Sequence, residues 1–376
     1  MLSYYLFLIS LYHFNADILS LPVSYYDSGN PMVQISFSDE GITYVTGVNT
    51  FLPYSVVNIK NYDLIKGRFK NNKTLYLDKP VYASQYETNI KIKFHPIENF
   101  NCYVSHQAKN FHNLGISLAY HYQDESFSFI HQLYKAKVIL HLQFAFHNIN
   151  EETPPDNRHV YIGGVPNNAH LSLPYKGIEK TRGDLPTWGF TLEKIIYQRE
   201  EYNVDLPCII SNRIKGLIIS DDVYGIFVKR VFNKEIKEGV CSNKTDKYNA
   251  NYLKCEQAIF EHNKKITLKF KGIKVDFETK DLFSKQNYHS LISSNDINQP
   301  VHNFTGVILG FNFINKFNYT VFDYETNQIA FYTDIISISQ NSKNYTEIYL
   351  FITNCILSLF STILLIINKL QFNNLT

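Results

Sequence analysis

The five cysteines, Cys102, Cys208, Cys241, Cys255 and Cys355, include no Cys-x-x-Cys pair, so their spacing marks no zinc site. The thirteen histidines include no His-Glu-x-x-His, the helical pattern of a zinc hydrolase. Gly-x-Ser-x-Gly and the cysteine-protease signatures are missing too, so no serine or thiol nucleophile is marked. Gly163-Gly164 closes an apolar segment, but neither Lys-Ser/Thr nor a helix start follows it, which excludes a phosphate loop. Charge of one sign is also lacking. Lys and Arg number 36 against 34 Asp and Glu, a net charge of +2, and this gives no reason to expect a nucleic-acid partner. The sequence therefore calls for no metal and no cofactor.

What is present is apolar and aromatic. The chain has 376 residues, 45% hydrophobic, with 28 Tyr and 28 Phe, enough to bury one large β-rich core or two lobes. Tyr4 to Tyr12 is an apolar run before small and polar residues near Asp17 to Ser20, as in a leader peptide over residues 1–20. The alternative is a buried first strand. Ile348 to Ile367 is twenty uncharged, mostly apolar residues, enough to cross a hydrocarbon core of ~30 Å as a helix. Glu347 before it and Lys369 after it suit a cytoplasmic C-terminus. A lipid-anchor signal, with Asn341 and Ser342 as its small residues, is opposed by the polar tail Asn368 to Thr376. Sequons at Asn72, Asn243, Asn303, Asn318 and Asn344 precede the apolar run and agree with glycosylation of a lumenal or extracellular body.

The most informative stretch runs from Val301 to Thr333. Ile308-Leu309-Gly310 ends an apolar segment. Tyr319 to Asp323 and Ile329 to Thr333 then read as two strands around the turn Tyr324-Glu325-Thr326-Asn327. This order of parts resembles the C-terminal signature of pepsin-like aspartic proteases, in which the apolar-apolar-Gly triplet threads beneath an active-site loop. Other segments agree. Leu114-Gly115-Ile116-Ser117-Leu118-Ala119-Tyr120 resembles the family's first triplet, with Ser117 for its glycine. Ser128 to Tyr134 has helical spacing, and Val160 to Gly164 resembles the Phe-Gly-Gly turn. Trp188 to Tyr197 resembles the strand that opens the second lobe.

The resemblance implies an all-β, bilobal pepsin-like fold, to which the apolar run Ile348 to Ile367 adds a C-terminal transmembrane helix. It divides the chain into an N-terminal lobe at 21–170, a C-terminal lobe at 171–338, a stalk at 339–347, a transmembrane helix at 348–367 and a cytoplasmic tail at 368–376. It also implies a disulfide between Cys241 and Cys255 ahead of the strand pair Ile266 to Val275, as an oxidising compartment allows. The flap, a tyrosine-bearing hairpin over the family's cleft, has no match. Lys66 to Pro80 is polar and reads as an ordinary connecting hairpin.

The family's two Asp-Thr-Gly loops are degenerate. In the first, Thr46 and Gly47 match, while Val45 stands for the aspartate and Val48 for the serine that would orient it. In the second, Leu217-Ile218-Ile219 leads into Ser220-Asp221-Asp222, which puts Ser220, or with a one-residue shift Asp221, at the aspartate position. The family mechanism needs two carboxyls that share one proton, the anionic one to activate water and the neutral one to protonate the oxyanion. Valine and serine cannot do this. The expected function is therefore a membrane-anchored pseudoprotease that binds peptide or protein. One alternative is a divergent active endopeptidase using Asp221 and a second carboxylate, with Asp39 or Glu40 as nearest candidates. The other is a structural surface glycoprotein.

Overall fold

A computed structural model describes residues 18–333, apart from 26–30, 38–42, 51–53, 59–66, 77–79, 94, 106–114, 120–124, 148–152, 167–174, 183–186, 213, 247–249, 286–287 and 295–305. They belong to one compact unit. The apolar runs Tyr4 to Tyr12 and Ile348 to Ile367 lie outside the described residues, as do Asn303, Asn344 and Cys355. No helix among the described residues is long and apolar enough to cross a membrane.

The first half supplies β1 (Leu19–Pro22), β2 (Ser24–Tyr25), β3 (Pro31–Phe37), β4 (Thr43–Asn49), β5 (Val56–Asn58), β6 (Arg68–Tyr76), β7 (Pro80–Ile92), β8 (His95–Ser105), β9 (Gly115–Ser117), β10 (Gln143–His147) and β11 (His159–Ile162). The second supplies β12 (Tyr175–Lys180), β13 (Gly189–Tyr197), β14 (Glu200–Ile210), β15 (Leu217–Ile219), β16 (Cys241–Thr245), β17 (Asn251–Cys255), β18 (Lys265–Phe270), β19 (Lys274–Glu278), β20 (His289–Ser294), β21 (Val307–Leu309), β22 (Tyr319–Asp323) and β23 (Gln328–Tyr332). Alternation explains many of them. Ile266, Leu268 and Phe270 of β18, and Val275 and Phe277 of β19, point into the core, while Thr267, Lys269 and Asp276 between them face the other way. Lys271 and Gly272 form the turn between the two strands, closed by Phe270 N–H on the Ile273 carbonyl at 2.8 Å.

Three sheets result. One runs β5-β8-β7-β3-β4-β9, with β2 on β3 and β6 on β7. A second runs β16-β17-β20-β15-β21-β14-β13-β18-β19. The third, β1-β11-β10-β22-β23-β12, takes three strands from each half. Its seam is the antiparallel pair β10–β22. Phe144 and Phe322 stack there at 4.5 Å on one face, and His147 lies on Tyr319 at 4.1 Å on the other. This shared sheet is why the two expected lobes form one compact unit.

Leu19 and Ser20, the last residues of the expected leader, pair with Ile162 and Tyr161 in β1, and Leu19 is buried. The hairpin expected at Lys66 to Pro80 is present: β6 and β7 form a ribbon of eight cross-strand pairs, from Arg68↔Glu87 to Tyr76↔Pro80. Its residues Arg68 to Lys73 are all exposed, so no buried alternation betrays the strand in the sequence.

The expected disulfide is present. Cys241 and Cys255 are directly opposite in β16–β17, with an S–S distance of 2.03 Å. Cys102 and Cys208 are fully buried free thiols. Burial pushes the Cys102 thiol up to about 12 and raises that of Cys208 as well; the Cys208 Sγ–H donates to the Phe190 carbonyl. Thiolates are the reactive form, so both should resist maleimide at pH 8 in the native protein and label only after denaturation. Peptide mapping of labelled sites checks this, and labelling of either residue in folded protein would refute it.

Candidate active-site loops

The same small motif occurs twice. In the first lobe β4 runs parallel to β9, pairing Gly47↔Gly115, Val48↔Ile116 and Asn49↔Ser117. In the second β14 runs parallel to β21, pairing Cys208↔Val307, Ile209↔Ile308 and Ile210↔Leu309. β9 and β21 carry the two apolar triplets read from the sequence. The strands they accompany therefore end in the loops of interest, just after Asn49 and just after Ile210.

Glycine makes this packing possible. A Cβ on Gly115 would stand 1.8 Å from the Gly47 oxygen, and one on Gly310 would stand 2.1 Å from the Gly216 oxygen. Beyond Gly310 the chain is pinned to the second loop, Phe311 N–H donating to the Ile214 carbonyl at 2.7 Å and Asn312 N–H to that of Lys215 at 2.9 Å.

The two loops meet through one threonine and one asparagine. Thr50 N–H donates to Asn212 Oδ1 at 3.1 Å, and Asn212 N–H donates to Thr50 Oγ1 at 3.3 Å. Asn212 Nδ2 donates to the Val48 carbonyl at 2.6 Å. The Thr50 hydroxyl has two acceptors for its proton, the Ile210 carbonyl at 3.3 Å and Asn212 Oδ1 at 3.2 Å. Thr187 O–H donates to the Thr50 carbonyl at 2.5 Å. Thr50, Thr187 and Asn212 are buried, so each bond replaces one to water and its loss would strand a polar group. Backbone bonds continue the frame, with Ser211 N–H on the Leu309 carbonyl at 2.9 Å and Ile210 N–H on that of Trp188 at 2.8 Å.

Two rings from the second half hold the segment that follows β9. Trp188 Nε1 donates to the Leu118 carbonyl at 2.8 Å, and Tyr324 O–H is shared between the Leu118 and Ala119 carbonyls at 3.0 and 3.2 Å. Their rings meet edge to face at 4.7 Å. Trp188 is thus a core residue, and Tyr324, read as part of a turn, also joins the halves.

The residues singled out from the sequence lie elsewhere. Val45 is within β4, opposite Gln34, and Thr46 is opposite Val33, before the strand reaches its loop. Gly47 serves close backbone approach to Gly115. Ser220 precedes the helix Asp221–Ile226, and Asp221 and Asp222 are exposed in its first turn, with Asp221 Oδ1 accepting from Asn251 Nδ2 at 3.3 Å. β15, taken as the lead-in to the second loop, is the antiparallel neighbour of β21, not its parallel one. Ile308, Leu309 and Gly310 do sit where expected, in β21 and immediately after it. Thr50 and Asn212 were missed. The usable signal was Asn49-Thr50 after an apolar-aromatic strand and Ser211-Asn212 after Ile209-Ile210, each at the end of a strand leading to a loop.

The chemistry of the pair of loops follows from their composition. Residues 47–50, 115–119, 208–216 and 307–312 contain no Asp or Glu. Among the described residues no group of three or more His, Cys, Asp and Glu could hold a metal ion. Of the described sequons, Asn72 and Asn243 are exposed and Asn318 is half-buried.

The sequence profile of the family described as eukaryotic aspartyl protease matches residues 88–333. Among solved structures, the aspartic proteinase from Irpex lacteus matches with a TM-score of 0.63 at 14% identity, over 85% of this chain and 98% of that one, a likeness of fold. No curated protein matches the sequence.

Proposed function

The chain belongs to the eukaryotic aspartyl protease family, and on that premise we propose that it is a non-cleaving member that binds an extended peptide or protein segment. One observation carries this reading. Asn49 and Ser211 each precede a residue of the Thr50–Asn212 crossing, and Asn49 lies opposite the third residue of its triplet. We assign these two positions, in place of Val45 and Ser220, to the family's pair of acids. Neither the asparagine amide nor the serine hydroxyl ionises at any pH where the protein folds. The carboxyl pair that would hold one proton and activate water is therefore missing on both sides. The crossing itself is intact, which supports a retained framework without the reaction.

The test is cleavage of a broad peptide library at acidic pH by the full chain, with and without a pepstatin-type inhibitor. No inhibitor-sensitive product is expected, and Asp221→Asn should change nothing because Asp221 is an exposed helix residue. Inhibitor-sensitive cleavage would overturn the reading, and its loss in Asp221→Asn would restore the divergent-endopeptidase alternative.

The same proposal includes residence in the secretory pathway or at the cell surface, with Ile348 to Ile367 as the membrane anchor. The Cys241–Cys255 disulfide supports an oxidising compartment. A leader peptide would then have to end before β1, at or before Ile18. Release of the full chain from membranes by alkaline carbonate would refute the anchor.

A further inference from the structure

The β6–β7 ribbon has an open side. Among the described strands β6 pairs with β7 alone, so one edge of its nine residues has no strand beside it. Arg68, Phe69, Lys70, Asn71, Asn72 and Lys73 are exposed in succession. Side chains alternate between the two faces except at the bulge at Lys70, between Phe69 and Asn71, and both faces of this run stand clear. An edge of this kind is a ready template for an added strand.

Its side chains define what could be added. Arg68, Lys70 and Lys73 are cationic, and β6 contains no acid. Lys70 is paired with Glu87 of β7, and the Lys73 ammonium lies 5.3 Å from the centre of the Tyr54 ring. Two of the largest exposed apolar side chains are here, Phe69 at 51% and Tyr82 at 59%. Phe69 is opposite Tyr86, and Tyr82 lies two pairs further along the same face of β7. A second copy of the strand would bring like charges together, which costs stability in a sheet. An acidic strand would meet three cations and two rings. Asn72 leaves from a face of the ribbon, its Oδ1 accepting from Ser84 Oγ–H at 2.7 Å, so a glycan there would not occupy the edge.

We propose that the open edge of β6 receives an extended acidic segment of a partner protein as an additional strand. Main-chain bonds to β6 supply affinity, Arg68 and Lys70 select acidic side chains, and Phe69 and Tyr82 cover apolar ones. The proposal does not depend on whether the paired loops cleave peptide.

The probe is a fluorescein-labelled decapeptide alternating Glu with Val and Thr, compared with its Lys-for-Glu counterpart, against the full chain in detergent. Anisotropy should show binding of the Glu peptide alone, weakening as salt rises. Arg68→Glu/Lys70→Gln should weaken it at least tenfold, and Phe69→Ser severalfold, with melting temperatures unchanged because these side chains are exposed. Hydrogen–deuterium exchange should show new amide protection within residues 68–76, which surface charge attraction alone would not give. Equal binding of both peptides, binding without new protection in 68–76, or no binding by folded protein would overturn the proposal.

Discussion

Stability is expected to rise by about 3 kcal/mol through Glu179 alone as the pH falls from about 7 to 4.5. Glu179 is in β12 with its carboxyl buried in the core, accepting a bond from Gly272 N–H at 2.6 Å. Burial lifts its pKa from 4.5 to about 7; Glu193 adds to the rise, and the Gly272 N–H opposes it. The folded value lies above the unfolded one, so between the two the folded state holds a proton that the unfolded chain has released. Stability from this group is therefore full below 4.5 and is lost as the pH climbs to about 7. Glu179→Gln keeps an acceptor for Gly272 and removes the titration. Denaturant unfolding of both forms across this range isolates the effect: the difference between them should grow as the pH rises. Parallel curves would refute it. The gain needs no acid at the paired loops.

Alanine at Gly310 is expected to abolish the folded protein. Its Cβ would stand 2.1 Å from the Gly216 oxygen and 2.5 Å from the Ile214 oxygen. Neither carbonyl is the tip of a flexible side chain, and Ile214 is also the acceptor for Phe311 N–H. Relief would have to separate β21 from the second loop, breaking the parallel pairing with β14 as well. Gly225→Ala is the control. It lies in the helix Asp221–Ile226 with nothing within 4 Å of its Cβ, so the change should be neutral or stabilise by up to about 1 kcal/mol. Soluble yield and thermal unfolding of the two variants check the contrast. A Gly310→Ala protein that unfolds like the parent would show that the loop yields more readily than its packing implies.

Where the sequence could be read correctly, the signals were local. Tyr319 to Asp323 and the strand after its turn alternate around residues with turn chemistry, and they form β22 and β23. Ser128 to Tyr134 has helical spacing and contains most of the helix Phe129–Lys135. The loops failed for a long-range reason. Leu217-Ile218-Ile219 and Cys208-Ile209-Ile210 are both apolar triplets before a polar residue, and β21 lies between the strands they form. Only the direction of pairing across about ninety residues separates them, and local periodicity carries no such direction. In the first lobe Thr46-Gly47 matched the family dipeptide, yet that glycine serves the contact with Gly115 inside a strand. The residue after Thr50 is Phe51, so no glycine marks the loop that crosses to Asn212.

The shared six-stranded sheet has a consequence for biosynthesis. β10 is complete at His147, but its seam partner β22 begins only at Tyr319. At about 5–20 residues per second, one long edge of β10 waits roughly ten to thirty seconds for its neighbour to emerge from the ribosome. Phe144 and Phe146, buried against that neighbour in the finished protein, are uncovered meanwhile. The first half cannot finish folding as an independent unit during synthesis, and a chain truncated before Tyr319 should be a chaperone client and prone to aggregate.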